Sequence, residues 1–144
     1  MNRFAKYAVE STGVFIAILL VSLVGDFTQT GLMIAPFGAT CVILFSLRSS
    51  HFARMRNVVG SYTVCSLAGV ASYHIMENTS WSIAFAVGIA VFIMLIADIV
   101  HPPACAVTII AVTTGADWLY IIFPVLSGAL MISVIATIYT RKFK

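Results

Sequence analysis

Charge is what this sequence has least of. Only 9% of its 144 residues are Asp, Glu, Lys or Arg, against about a quarter in soluble domains. Hydrophobic residues make up 61% and the mean hydropathy is +1.07, a composition that excludes an ordinary soluble domain. Cysteine is scarce too. Cys41, Cys65 and Cys105 lie inside apolar runs, in no CxxC or Cys/His spacing, so each reads as a small hydrophobe and no metal or cofactor is expected. No triad, metal-ligand set or Gly-rich phosphate loop accompanies them, and catalysis is not expected. No linker or low-complexity tail breaks the composition, so 1–144 reads as a single domain.

What the chain does have is apolar runs, roughly 8–25, 31–47, 57–75, 82–99, 102–115 and 118–140. The first, third, fourth and sixth are as long as a spanning helix, which needs about 17–25 residues. The fifth would give only about 21 Å of helix at about 1.5 Å per residue. The first could pass for a signal peptide, but Glu10 and the lack of a small-residue cleavage site favour an uncleaved helix. The expected fold is therefore an all-α membrane protein of about six segments, four long helices plus two shorter proline-broken ones.

The remaining charges are sorted. Arg3 and Lys6 precede the first segment, Arg48, Arg54 and Arg56 separate the second from the third, and Arg141, Lys142 and Lys144 follow the sixth. The loops near Asp26, Glu77 and Asp117 hold no Lys or Arg. If every segment crosses, all three basic clusters and both termini face the cytoplasm across a cell (inner) membrane. Were the second segment to dip in and return, Arg48, Arg54 and Arg56 would face outward, so crossing is the expected arrangement. Basic residues that flank membrane segments also explain the net charge of +3 without nucleic acid.

Six crossings split into halves 8–75 and 82–140, and an odd number per half would invert the second. The middle segments open alike, "APFGATCVILF" at 35–45 and "HPPACAVTII" at 101–110. Each gives proline, small residues, a cysteine and a β-branched run. The offsets from segment start 8 to 82, Pro36 to Pro102 and Gly69 to Gly128 are unequal. A 3+3 inverted repeat with drifted register is expected.

Proline suits the first position of a helix, where its missing donor costs nothing. Pro36 and Pro102 or Pro103 thus mark helix starts, each after a break. Asp98 closes the preceding helix and stands three residues before His101, placed to orient its ring or hold its proton. Gly38, Ala39, Ala104 and Ala106 would let a backbone or ligand come close. Free amides at a helix start attract anions, yet a bare ion costs on the order of 20 kcal/mol in a low dielectric. A helix end returns at most about 2 kcal/mol. Hydroxyls and a cation must therefore help, and the candidates are Thr40, Thr108, Arg56, Asn57 and protonated His101. The competing reading of such a break is a simple interfacial turn, with Arg48 and Arg54 as topology anchors.

The blocks "PFGATCVILF", "RNVVGSY", "HPPACA" and "WLYIIFPVLSGAL" occur in the order in which the sequence resembles the HPP family of integral membrane proteins. The resemblance covers nearly the whole chain, and His101-Pro102-Pro103 is the family's signature. It implies four membrane helices and a transporter, with nitrite the substrate associated with plastid and cyanobacterial members. The family pattern marks Pro36, Phe37, Gly38 and Ala39, then Arg56, Asn57 and Gly60, then His101, Pro102 and Pro103. Two departures stand out: Gly60-Ser61-Tyr62 replaces Gly-Gly-His, and Cys105 replaces a glycine. The expected function is a transporter or channel for a small inorganic anion in the lipid bilayer, assembled as a homo-oligomer. The alternative is a binding or scaffold subunit that uses the same small-residue faces for helix packing.

Overall fold

Apolar segments in lipid must pair their own backbone groups, and a helix does so within one segment. The computed structural model describes residues 2–142 and is all-helical among them; Lys144 of the third basic cluster lies outside the described residues. The helices are α1 (Arg3–Thr28), α2 (Pro36–Ser46), α3 (Met55–Met76), α4 (Ser80–Ile96), α5 (Cys105–Thr114) and α6 (Ser127–Arg141). Of these six, α2 with 11 residues and α5 with 10 are the shortest. Asn2 caps α1 by accepting from the Ala5 amide, and Thr79 caps α4 by accepting from Ser82. Hydroxyls of α3 and α6 bond back to carbonyls one turn earlier, Thr63 to Val59 and Ser133 to Ala129, and so are paired within their own helices.

Three segments are shorter or more broken than their apolar runs. In the second, only Pro36–Ser46 is helical, about 16 Å or half a bilayer core. The chain before it is irregular and lies against α1, where Leu32 is buried next to Gly25. The fifth begins with a 3-10 turn at Pro102–Ala104 and ends at Gly115, which adopts φ +64 under the Tyr73 hydroxyl. The sixth is expected as one continuous span and instead breaks at Phe123, which is extended at φ −127, ψ 123. The residue before a proline is pushed out of the helical region, and Pro124 follows.

The most enveloped helix is α3, packed on α4, α5 and α6. Enclosure lets it carry buried Asn57, Ser61, Ser66 and Ser72, polar residues that lipid would penalise. Among the described residues, only Arg3–Thr28 and Ile121–Arg141 qualify by length and apolarity as spans on their own. On α1 the buried stripe Gly13, Ala17, Val21, Gly25 faces α2 and α6; on α4 the stripe Ser82, Ala86, Ala90, Met94 faces α3 and α5. Small residues at four-residue spacing permit this close approach.

Contacts at the helix ends fix the directions. The Tyr139 hydroxyl donates to the Val9 carbonyl (2.8 Å) and the Arg48 guanidinium to Thr140 (3.3 Å). Arg56 donates to Ala97 (2.7 Å). These contacts bring the starts of α1 and α3 and the ends of α2, α4 and α6 to one end of the bundle, with its basic residues. At the other end Asn78 donates to Thr113 (3.3 Å) and His74 stacks on Trp118 at 5.5 Å, beside Glu77 and Asp117. Successive helices therefore alternate in direction, and the 47–54 loop lies at the same end as the start of α1, as the crossing arrangement requires.

Candidate functional site

Pro36 and Pro102 each open a helical turn, and between them they place the site. His101 precedes Pro102 and is held extended at φ −140, ψ 96, as a pre-proline residue prefers. Its ring is carried inward against the first turns of α2. Nδ1 lies 2.9 Å from the Phe52 carbonyl, Nε2 lies 2.9 Å from Thr40 Oγ1, and that hydroxyl lies 2.8 Å from Tyr62 Oη. A carbonyl only accepts, so Nδ1 carries a proton. In the neutral ring Nε2 must then accept, which assigns Thr40 as its donor and Tyr62 as the donor to Thr40. A one-directional chain of hydrogen bonds results, Tyr62 to Thr40 to His101, with Phe52 receiving the far proton. Thr40, Tyr62 and His101 are all 0% exposed, and Phe37 packs on Tyr62 with ring centroids 5.6 Å apart.

The break between α4 and the fifth segment leaves carbonyls without helical partners, and groups buried that way are costly. The start of α3 supplies the donors. Arg56 donates to Ala97, Ser61 to Ile99, and Asn57 to Val100 (3.3 Å) and His51 (3.1 Å). Gly60 lets Ile99 lie against the helix, since a Cβ there would stand 3.0 Å from Ile99 Cδ1. The "RNVVGS" stretch is thus a clamp that holds the break open and sets His101 in place.

The anion candidates separate accordingly. Thr40 and His101 meet, while Arg56 and Asn57 hold the break and Thr108 ties α5 to α3 by donating to the Cys65 carbonyl (3.0 Å). Pro36 and Phe37 are buried at the head of α2, whereas Ala39 and Pro102 are exposed and Gly38 and Pro103 half-buried. Asp98 departs from expectation: it adopts φ 52 and turns outward, and both ring nitrogens of His101 already have other partners. Its carboxylate instead lies 3.2 Å from His51 Nε2, within ion-pair reach but without the alignment of a hydrogen bond. Exposed pairs contribute little, so Asp98→Asn should leave the melting temperature within error. A large drop would return Asp98 to the structural core.

Sequence reading did not place Tyr62, Ser61 or Phe52 in the site. For Tyr62 the signal was present, because it stands where the resemblance leads one to expect histidine.

Alternating apolar helices, two short proline-started ones and a break covered by protein define a polytopic membrane protein. The chain belongs to the HPP family: the pattern of the HPP transmembrane region matches residues 1–144. It is similar to two transmembrane proteins of Dictyostelium discoideum. One is 29% identical over 143 residues, 91% of this chain and 50% of the relative; the other is 32% identical over 145 residues, covering 90% and 47%. The chain spans about half the length of these curated relatives. No solved structure matches it.

Proposed function

We propose that this chain is a multipass transporter or channel for a small inorganic anion, with nitrite the first candidate substrate. The observation that carries the reading is the meeting of Thr40, in the first turns of α2, with His101 at the head of the fifth segment. A titratable ring sits there between two helix starts. A proton on Nε2 would reverse the chain: His101 would donate to Thr40, Thr40 to Tyr62, and the Tyr62 proton would need a new acceptor. Protonation would thus supply the cation an anion needs and unsettle α2 against α3 in the same step. Helix ends alone, at about 2 kcal/mol each, fall far short of an ion's desolvation cost of about 20 kcal/mol.

The principal helix contacts support an inverted 3+3 plan. Exchanging α1 with α4, α2 with α5 and α3 with α6 turns α1–α2 into α4–α5, α1–α6 into α3–α4, and α2–α6 into α3–α5, all of them observed pairs. Two such halves rocking about the His101 junction would expose it alternately. The basic end would face the cytoplasm, in an inner membrane, and the small bundle would work as a homo-oligomer.

Purified protein in proteoliposomes should show saturable nitrite uptake that responds to an imposed pH gradient, measured beside chloride, nitrate and formate. No flux of any anion, from folded and inserted protein, would overturn this reading. It would favour the second one, a non-transporting assembly subunit, which the close burial of Thr40, Tyr62 and His101 supports.

A further inference from the structure

Two breaks interrupt the bundle, and they are finished differently. The one between α4 and Pro102 has its carbonyls taken up by Arg56, Asn57 and Ser61. The one between α1 and Pro36 has no such clamp. Among the described residues the Met33, Ile34 and Ala35 amides reach no acceptor, and the Gly31, Leu32 and Met33 carbonyls receive no donor. This backbone is not enclosed either. Gly31, Met33, Ala35 and Ala39 are exposed, and a Cβ on Gly38 would meet nothing within 4 Å.

Depth makes the difference matter. From the start of the first apolar run at residue 8, α1 rises about 26 Å to Gly25, still inside a hydrocarbon core of about 30 Å. Leu32 packs there. From the basic end, α2 rises only about 16 Å to Pro36. Residues 32–35 therefore cross the half of the core away from the basic end as irregular chain. Lipid offers such backbone no partner, and at this depth it persists only against protein or water. A second copy related by a two-fold axis along the membrane normal would set each amide against its own counterpart at equal depth, and an amide N–H accepts nothing.

We propose that residues 31–39 line a water-filled crevice, entered from the face opposite the basic end and ending short of the fully buried Thr40. Resting on the transport reading, the crevice is the outward half of the anion's route. Its free amides are donors that a small anion can take in place of water. The clamp and the Phe52 carbonyl close His101 on the other side.

The test is labelling of Met33→Cys and Ala35→Cys by a charged, membrane-impermeant methanethiosulfonate, applied to the outside of cells making the full chain. Labelling is read above that of the parent, whose Cys41 and Cys65 are fully buried. Phe85→Cys, near the start of α4 and 62% exposed, is the lipid-facing reference. Both crevice variants should react at least about ten times faster than Phe85→Cys, because the thiolate is the reactive form and apolar surroundings keep a thiol protonated. Saturating nitrite should slow them. Amide hydrogen exchange of the parent in lipid nanodiscs needs no substitution, and Met33, Ile34 and Ala35 should exchange far faster than the interior of α2. Cysteines as inert as Phe85→Cys, or slow amides, overturn the crevice; disulfide cross-linking between Met33→Cys chains would name a second copy as the cover. Labelling that nitrite leaves unchanged, in a chain that takes up nitrite, removes the crevice from the route. Labelling is read without flux, so a chain that labels but shows no uptake ends the transport reading and leaves the crevice standing.

Discussion

Gly69→Ala is expected to lower the melting temperature by several degrees, while Gly88→Ala leaves it unchanged or slightly raised. A Cβ at Gly69 would stand 2.7 Å from Ala111 Cβ, 2.8 Å from the Thr108 carbonyl oxygen and 3.1 Å from Thr108 Cα. Two of these are backbone atoms of α5 and cannot swing aside, so α3 and α5 would have to part. Overpacking of this kind costs about 1–3 kcal/mol, or roughly 2–4 °C for each kcal/mol at this chain size. Thr108 would move too, straining its bond to Cys65. Gly88 is exposed and a Cβ there meets nothing within 4 Å. Thermal unfolding of the two purified variants checks the claim, and equal melting temperatures would refute close α3–α5 packing.

His101→Ala is expected to have the larger effect on function. The substitution strands the Phe52 carbonyl and leaves the Thr40 hydroxyl with Tyr62 as its remaining partner. A buried polar group left unpaired costs about 1–3 kcal/mol, so the melting temperature should fall markedly. Under the transport proposal nitrite uptake should vanish at every pH gradient. Measuring both quantities separates the effects: a destabilised but folded variant that still transports nitrite at the parental rate would remove His101 from the pathway.

The helix ends show how tertiary contacts recast a sequence motif. Arginine next to asparagine at the head of an apolar run looks like a topology anchor or an anion contact. In the folded chain Arg56 and Asn57 face carbonyls 41 and 43 residues away, a use that no local pattern displays. Asp98 and His101 look like partners because they are three apart. A left-handed residue at Asp98 and an extended one at His101 send their side chains in different directions.

By itself the sequence determined the class of protein, the helix starts at Pro36 and Pro102, and the sorting of the basic residues. Each of these follows from local chemistry: lipid tolerates few charges, proline fixes its own φ and lacks a donor, and basic loops stay on one side. The tertiary structure alone decided that Thr40 and Tyr62 join in a chain with His101, that the Cys65 thiol lies against Met94, and that α3 is the enclosed helix. Those facts depend on which faces of distant segments meet. Hydropathy cannot report that in a chain so nearly uniform, because lipid and protein interior favour the same side chains.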